Sequence, residues 1–381
     1  MTPFRMTLTE HGLGFRFLAH NPLRLAAAVA GVAVAVVIMF VELGLLLGVL
    51  NSQAMVASRI DADLVVMDRA RIDLHKWNSV RDIRLYQIAA QPDVADVVPI
   101  YQGTMGFRNP PDTAIRRIIV FAFPADDVPF DIGNREKISQ VLRVPGSVLF
   151  DRLSRPIYGE VKRGQDIELD GVLFRMAGFV SVGPDVVNDG AVVMSEGDWL
   201  TRHPNDQPIM GAIRLKPGVD TSAARERIVA ALPDDIIVMT PAAVRSREFL
   251  FTLRAAPIGI LFGIGMLAGF VIGAITCYQI LFNEIVDRFR QYATLRAMGF
   301  SDRFFRGIIL EQAAILSLGG FLAGAFLTWI AYLYLAYATS LAVGFDAFSL
   351  IFVLLLTVGM TVLAGLYALK PVAHADPASL Y

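Results

Sequence analysis

Four long apolar stretches dominate the pattern of hydrophobic and polar positions along the chain. They run over residues 25–50, 257–283, 307–338 and 348–369, and charged residues inside them are few. Because a helix needs roughly 20 predominantly apolar residues to cross a bilayer, each stretch is predicted to be a transmembrane helix. The first stretch is too long for a signal-peptide core and lacks a cleavage site of the usual kind, which predicts a retained anchor.

The segment between the first two stretches, residues 51–256, has a mixed pattern instead. Residues 166–180 predict a hairpin that turns at Asp170-Gly171, and residues 221–232 predict a helix that stops at Pro233. Further strand-like runs lie at 62–67, 94–100, 117–123, 190–194 and 236–239. About 205 residues suffice for one sizeable domain or two small lobes. The predicted fold class is an α-helical membrane protein with four transmembrane helices and one large α+β domain inserted between helices 1 and 2.

The short loops carry an uneven distribution of positive charge. Three arginines precede the first stretch, five lie in the 284–306 loop and Lys370 begins the tail, whereas the 339–347 loop has no Lys or Arg. The positive-inside rule then places segment 1–24, the 284–306 loop and tail 370–381 in the cytoplasm. Residues 51–256 and 339–347 are predicted to lie on the opposite side of the membrane, outside the cytoplasm, in a multi-pass membrane protein. Three arginines near the end of the long segment oppose this weakly, because the rule loses force in long translocated segments.

Composition narrows the possible functions. The 381 residues are 55% hydrophobic and 18% charged, with a mean hydropathy of +0.54. A net charge of −1 gives no indication of nucleic-acid binding. Cys277 is the single cysteine and the five histidines are scattered, so neither a disulfide within the chain nor a metal site is expected. No Walker A pattern occurs, and nucleotide hydrolysis is therefore not expected in this chain.

Glycines recur at four-residue spacing within three of the apolar stretches. The second stretch contains Gly265, Gly269 and Gly273, and the third contains Gly320 and Gly324. Gly44 and Gly48 repeat the spacing in the first stretch. Small residues at this spacing let two membrane helices approach closely, although glycine is also simply frequent in membrane helices. The glycines of the second and third stretches are predicted to be helix-packing positions.

Glu42 is the one acidic residue well inside an apolar stretch. It follows Arg24 by 18 positions, which corresponds to about 27 Å along a helix. If Arg24 marks the inner boundary, Glu42 lies near the far edge of a hydrocarbon core of roughly 30 Å. A side chain that snorkels or faces a cavity of the helix bundle is therefore favoured over a proton relay.

The 284–306 loop contains a short amphipathic helix according to its pattern. Its apolar stripe is Phe289, Tyr292, Leu295 and Met298, arginines flank the stripe, and Gly299 is a natural C-terminal stop. The pattern alone leaves two interpretations open. The helix rests on lipid headgroups, or it docks a soluble partner.

Three pairs of acids in the 51–256 segment raise the possibility of a membrane enzyme. They are Asp61/Asp63, Asp126/Asp127 and Asp234/Asp235. Each pair is predicted to lie at a turn or strand edge, where solvated acids are ordinary, and the chain contains no nucleophile elbow or zinc-hydrolase helix. A catalytic function is poorly supported.

The loop sequence QYATLRAMGFSDRFF (291–305) and the closing HADPASLY (374–381) resemble signatures of the FtsX/MacB-type permeases. The resemblance to DevC-type exporter permeases is closer and extends over nearly the whole chain. The segments that carry it are ADLVVMD (62–68), RLYQIAAQPDVADVVPIY (84–101), SVLFDRLSRPIYG (147–159) and CYQILFNEIVDRFRQYATLRAMG (277–299).

The resemblance implies a non-catalytic permease subunit that forms a homodimer. A separate ABC ATPase subunit would bind ATP and magnesium, and the periplasmic domain would meet a HlyD-like membrane-fusion protein and a TolC-like outer-membrane channel. ATP-driven motion would be transmitted outward to export lipid-like or hydrophobic cargo. Carried onto this chain, the ATPase-coupling helix comprises Arg288, Arg290, Tyr292, Leu295, Arg296, Met298 and Gly299.

Two features qualify this implied function. Glu42 departs from the uncharged residue expected at that position in the family. In the division-linked branch of the superfamily, an FtsX-like permease regulates a periplasmic cell-wall hydrolase without transport. The outer domain is small in that branch, so the 205-residue segment of this chain favours the exporter.

Overall fold

The computed structural model describes residues 22–53, 55–70, 78–185, 188–254, 257–339 and 344–369. Predictions for the rest of the N-terminal segment, for residues 340–343 and for the tail with its closing motif lie outside the described residues. The chain forms two compact units. Of the described residues, those between 22 and 47, between 258 and 339 and between 344 and 369 belong to the helical unit, and those between 48 and 257 belong to the sheet unit.

The helical unit contains four helices that are long and apolar enough to cross a membrane, together with one short helix. They are α1 (Pro22–Gln53), α8 (Ile258–Asp287), α9 (Phe289–Ala297), α10 (Asp302–Thr339) and α11 (Ala347–Ala368). Helix α10 starts five residues before the predicted stretch, because Phe304 and Phe305 are buried against α9. Helix α11 begins with a capping box formed by Asp346 and Ser349.

The sheet unit contains nine strands and six α-helices among its described residues. In chain order these are α2 (Met55–Arg59), β1 (Leu64–Asp68), α3 (Asp82–Ala89), β2 (Val94–Arg108), β3 (Arg116–Phe123), α4 (Arg135–Leu142), β4 (Ser147–Asp151), β5 (Asp166–Leu169), β6 (Val172–Val180), β7 (Ala191–Ser195), α5 (Glu196–Arg202), β8 (Met210–Leu215), α6 (Thr221–Ala230), β9 (Ile236–Met239) and α7 (Pro241–Arg254). In the sequence, all these strands and helices lie between α1 and α8.

The long strand β2 belongs to two sheets. Its first half pairs with β8, from Val94↔Leu215 to Ile100↔Met210. Its second half pairs with β3, and its end pairs with β5. The order β2-β3-β7-β4-β6-β5 returns to β2, so these six strands close into a barrel. Closure leaves no unpaired edge strand in this ring.

The second sheet has the order β9-β1-β8-β2, and all its neighbours are antiparallel. Helix α3 connects β1 to β2, and helix α6 connects β8 to β9, which is a split βαβ arrangement. The helices cover one face of the sheet with Leu85, Ile88 and Ile228. The mixed segment is thus two lobes that share one strand.

The barrel encloses an aromatic core. The ring of Phe107 meets that of Tyr158 edge to face at 5.2 Å, and the Tyr158 hydroxyl donates to the carbonyl of Arg117 at 2.7 Å. Trp199 lies against Gly103, where an added Cβ would come within 2.3 Å of its ring. The indole N–H is satisfied because it donates to Asp206 at 2.8 Å.

The predicted hairpin at Asp170-Gly171 is confirmed. Both residues have positive φ, 47° and 82°, as the type I′ turn requires, and they join β5 to β6. The predicted helix over 221–232 is confirmed as α6, with Asp220 as its N-cap. Strands β4 and β8 were not predicted. All five residues of β4 are buried, so it lacks the alternation of a half-exposed strand.

A buried carboxylate joins the end of β4 to the loop that follows β6. Asp151 accepts hydrogen bonds from the backbone N–H groups of Leu153 at 3.1 Å, Val182 at 3.0 Å and Gly183 at 2.8 Å. Burial raises its pKa above the usual range, although these three donors oppose the shift. Asp151 thus fixes the relative position of two loops.

We expect Asp151→Ala to destabilise the sheet unit by about 2–3 kcal/mol, because it leaves buried N–H donors without an acceptor. Thermal unfolding of the purified chain in detergent, followed by circular dichroism, measures the change. Asp166→Ala is the matched control, since Asp166 forms only an exposed pair with Arg175, worth less than about 1 kcal/mol. Equal unfolding midpoints for the two variants would contradict this role for Asp151.

Candidate functional site in the helical unit

Helix α1 supplies most of the core of the helical unit. Its residues Val32, Ala35, Val36, Met39 and Phe40 are fully buried. They form one hydrophobic cluster with residues of α8, α10 and α11. Helix α1 is therefore the element against which α8 and α10 pack.

The two predicted glycines of α10 lie directly against α1. A Cβ on Gly320 would come within 2.3 Å of Val32 Cγ1, and one on Gly324 within 2.6 Å of Val36. At Gly324 the added atom would also lie 2.9 Å from the backbone oxygen of Ala33. Only glycine allows the backbones to approach this closely.

The three predicted glycines of α8 also face neighbouring side chains. An added Cβ on Gly269 would lie 3.0 Å from Ile38 Cγ2. On Gly273 it would lie 2.4 Å from Met360 Sδ and 2.8 Å from Ala35 Cβ. Gly265 contacts Glu42. All five predicted packing glycines thus contact another helix.

The carboxylate of Glu42 lies on the glycine face of α8. An added Cβ on Gly265 would be 2.4 Å from its Cδ atom. The side chain is partly buried and lies against α8, which is a neighbouring helix. Gly265 leaves the room that the carboxylate occupies.

A tyrosine of α10 makes a further close contact with α1. The Tyr332 hydroxyl donates to the backbone carbonyl of Phe40 at 2.5 Å. Its ring fills the space over Gly44, where a Cβ would lie 2.2 Å from the hydroxyl oxygen. Gly44 is thus a packing position. The sequence analysis assigned Tyr332 no such contact, because nothing local shows which helix an aromatic side chain meets.

Gln312 of α10 is fully buried, and its amide nitrogen and oxygen have no hydrogen-bond partner among the described residues. The sequence analysis did not single it out. The sequence signal that could have found Gln312 is its isolated amide within an apolar stretch, because a polar side chain inside a membrane helix costs free energy and is often functional.

The short helix α9 ends as its sequence predicts. Gly299 has a φ of +90°. Its N–H donates to the carbonyl of Arg296 at 3.0 Å, and that of Phe300 donates to the carbonyl of Leu295 at 3.2 Å. These two bonds are the Schellman motif, and Leu295 and Phe300 belong to one hydrophobic cluster.

Tyr292 and Leu295 of the predicted apolar stripe face the start of α10, whereas Met298 of the same stripe is exposed. Tyr292 is only 1% exposed, and its ring lies 5.7 Å from that of Phe305. Burial raises the pKa of Tyr292 to about 12. Leu295 packs partly buried in the same cluster. The Tyr292 side chain is thus packed within the chain and does not lie on the exposed surface of α9, while the role of the stripe in ATPase coupling stays a prediction.

A different face of α9 is open to solvent. It comprises Arg290, Gln291, Thr294, Ala297 and Met298, and Met298 is 62% exposed. Arg288 is engaged differently, since it pairs with Glu284 one turn earlier, and Arg296 is half-buried. Of the seven predicted coupling residues, Arg290, Met298 and Gly299 are exposed.

The paired acids of the sheet unit are held by arginines or backbone groups. Asp61 pairs with Arg135, Asp126 with Arg143 and Asp127 with Arg214. Asp234 pairs with Arg69 and Asp235 with Arg84, while Asp63 accepts from the N–H of Leu215. Within the described ranges, no three His, Cys, Asp or Glu side chains lie close enough together to hold a metal ion.

We expect Gly320→Ala and Gly324→Ala to destabilise the helical unit by about 1–3 kcal/mol each, because the added methyl group overpacks the contact with α1. Gly263→Ala is the matched control, since nothing lies within 4 Å of its added Cβ. Thermal unfolding in detergent measures the difference. An unchanged midpoint for Gly324→Ala would show that α10 does not approach α1 this closely.

One comparison with known proteins finds a match to the helical part. Residues 263–377 match the family model described as FtsX-like permease C-terminal. A search of curated proteins finds no significant match.

Three solved structures are similar to part of this chain. The periplasmic region of MacB from Actinobacillus actinomycetemcomitans is 10% identical, with a TM-score of 0.36, and covers 48% of this chain and 90% of its own. The extracellular domain of the ABC-type transporter YknZ from Gram-positive bacteria is 11% identical, with a TM-score of 0.33, and covers 46% and 98%. A domain of a putative permease protein from Porphyromonas gingivalis is 15% identical, with a TM-score of 0.33, and covers 48% and 89%.

The matched residues begin within α8 and extend through α9, α10 and α11. They include the loop motif on which the resemblance was based, so the predicted resemblance to this superfamily is confirmed. Residues 263–377 of this chain are thus similar to the C-terminal domain of FtsX-like permeases.

Proposed function

We propose that this chain is the permease subunit of an ABC-type exporter. The observation that carries the proposal is the FtsX-like match over 263–377 around α9, a short helix with one packed face and one open face. In this function, helices α1, α8, α10 and α11 cross the bacterial inner membrane and the sheet unit lies in the periplasm. A separate ATPase subunit, which binds ATP and magnesium, docks on the cytoplasmic side.

The open face of α9 is the proposed ATPase contact. The packed face joins α9 to α10 through Tyr292, Phe304 and Phe305, so a push on α9 is transmitted into a membrane-capable helix. Glycine contacts then join α10 to α1. This gives a continuous packed path from the docking face through the helical unit, which is what motion-coupled export requires.

The rest of the proposed machine follows from the resemblance of the sequence to DevC-type permeases. The chain acts as a homodimer, and the sheet unit contacts a HlyD-like adaptor that reaches a TolC-like channel. The cargo is lipid-like or otherwise hydrophobic. The permease itself is not an enzyme in this scheme, since ATP hydrolysis belongs to the partner.

A second candidate function is FtsX-like signal transmission to a periplasmic cell-wall hydrolase. The family match supports it equally, because the match covers the helical part that both classes share. The size of the sheet unit, from residue 48 to 257, favours export. Stimulation of the partner ATPase by hydrophobic cargo, and not by a hydrolase, would distinguish the two.

The proposed orientation predicts which engineered cysteines react from outside the cell. In a Cys277→Ser background, Ser222→Cys should react with an impermeant thiol reagent in cells with a permeabilised outer membrane, whereas Ser301→Cys should not. Both serines are exposed in the structure, so accessibility to solvent does not separate them. Labelling of Ser301→Cys in intact inner membranes would reverse the orientation.

The docking proposal predicts that Met298→Ala and Arg290→Ala together weaken ATPase binding. Truncation of an interface anchor costs 1 kcal/mol or more, so we expect roughly a fivefold or greater loss in co-purification from detergent-solubilised membranes. The chain itself should remain equally abundant and equally stable, because both side chains are exposed.

The Tyr292→Ala variant, which changes the packed face of α9, is the comparison for the variant of the open face. It removes a buried ring, which typically costs 3–5 kcal/mol for a large aromatic side chain, so it should lower the stability of the chain as well as ATPase recovery. Full ATPase recovery with the Arg290→Ala/Met298→Ala variant would leave a helix that rests on lipid headgroups as the better explanation.

A further inference from the structure

A second candidate site is a cleft on the sheet unit, far in sequence from α9. It has a volume of about 420 Å³ and lies among α4, β4 and β6. The lining residues that matter for binding are Lys137, Ile138, Leu149, Arg152, Arg163 and Phe179. The volume lies within the range of about 300–1,000 Å³ that is typical of small-molecule sites.

The floor of the cleft is apolar. Ile138 and Leu149 are buried core residues that reach it from α4 and β4. The Phe179 ring contributes from β6 and is 38% exposed. Gly178 lies beside this ring, and a Cβ added to it would lie 3.0 Å from the side chain of Leu149. The lack of a side chain at Gly178 therefore leaves space in the cleft. An alkyl chain laid on this floor would remove exposed apolar surface from water.

The rim of the cleft is cationic. Lys137, Arg152 and Arg163 line it, and no acidic residue does. None of the three has an ion-pair partner within the described residues, whereas many arginines elsewhere in the sheet unit pair with an aspartate. Three like charges around one concave surface attract an anion more strongly than isolated surface charges do.

The backbone at Arg152 is held by the buried carboxylate described above. Asp151 precedes Arg152 directly and accepts hydrogen bonds from the backbone of Val182 and Gly183, next to Ser181 of the lining. The N–H of Arg152 donates to the carbonyl of Val180 at 3.1 Å. The backbone on these two sides of the cleft is thus joined by hydrogen bonds within the chain.

We propose that this cleft binds an amphiphilic anion, with its acidic headgroup on the basic rim and its hydrocarbon chain on the apolar floor. Inorganic phosphate would satisfy the rim but leave the floor exposed. A neutral amphiphile would cover the floor but leave three cations unpaired. The inference goes beyond the proposed function, because binding here requires neither an ATPase nor transport.

A photoreactive probe tests the site directly. A twelve-carbon alkyl phosphate that carries a diazirine at the chain end is added to the purified full-length chain in a neutral detergent. After irradiation, labelled peptides are mapped by mass spectrometry. We expect labelling within residues 132–181 that dodecyl phosphate displaces, while inorganic phosphate and dodecanol at the same concentration do not.

Two double variants make the charge requirement measurable. Arg152→Gln/Arg163→Gln should lower labelling of 132–181 at least fivefold. Lys162→Gln/Arg143→Gln removes the same charge from exposed residues outside the cleft, which pair with Glu160 and Asp126, and should leave labelling within twofold of the unmodified chain.

Several results would overturn the proposal. Equal labelling in the two double variants would show that the rim does not bind the headgroup. Displacement by inorganic phosphate as effective as by dodecyl phosphate would reduce the site to an anion site, and equal displacement by dodecanol would reduce it to an apolar one. If the rim variant fails to fold, the competition series on the unmodified chain still decides the outcome. Loss of ATPase docking at α9 would leave these results unaffected.

Discussion

The close approach of α8 and α10 to α1 is the constraint on which the helical unit depends. Lipid tails are as apolar as leucine side chains, so burial of apolar surface does not hold helices together in a bilayer. Packing and hydrogen bonds between the helices must do so. Gly320 and Gly324 bring α10 onto Val32 and Val36, and Tyr332 adds a hydrogen bond to the backbone of α1. The space over Gly265, which admits the carboxylate of Glu42, belongs to the same set of contacts.

The sheet unit is built on a different constraint, the continuity of β2. One strand of 15 residues serves the open sheet with its first half and the barrel with its second half. The two lobes therefore cannot move independently along that strand without breaking its ladders of hydrogen bonds. Asp151 acts more locally, because it holds the end of β4 to the loop after β6 and so preserves the basic cleft beside them.

The short helix α9 uses some residues of its amphipathic pattern for packing within the chain and leaves others exposed for the proposed partner. Its largest aromatic side chain is used for packing against α10, which positions the helix. What remains for a partner is the opposite, more polar face, with Arg290 and the exposed Met298. A docking surface of this kind relies on a helix that is already held in place, since a partner then need not order it on binding.

The sequence alone determined the features that depend on local chemistry or on long periodic patterns. The four apolar helices, the I′ turn at Asp170-Gly171 and the Schellman end at Gly299 follow from the length of apolar runs and from the freedom of glycine at positive φ. The loop motif in the sequence also indicated the family resemblance. The tertiary structure alone decided which surfaces meet. It closed six strands into a barrel, turned Tyr292 inward, placed Glu42 on Gly265 and brought Lys137, Arg152 and Arg163 to one cleft. These outcomes depend on contacts between residues distant in the chain, which neither periodicity nor local propensity encodes.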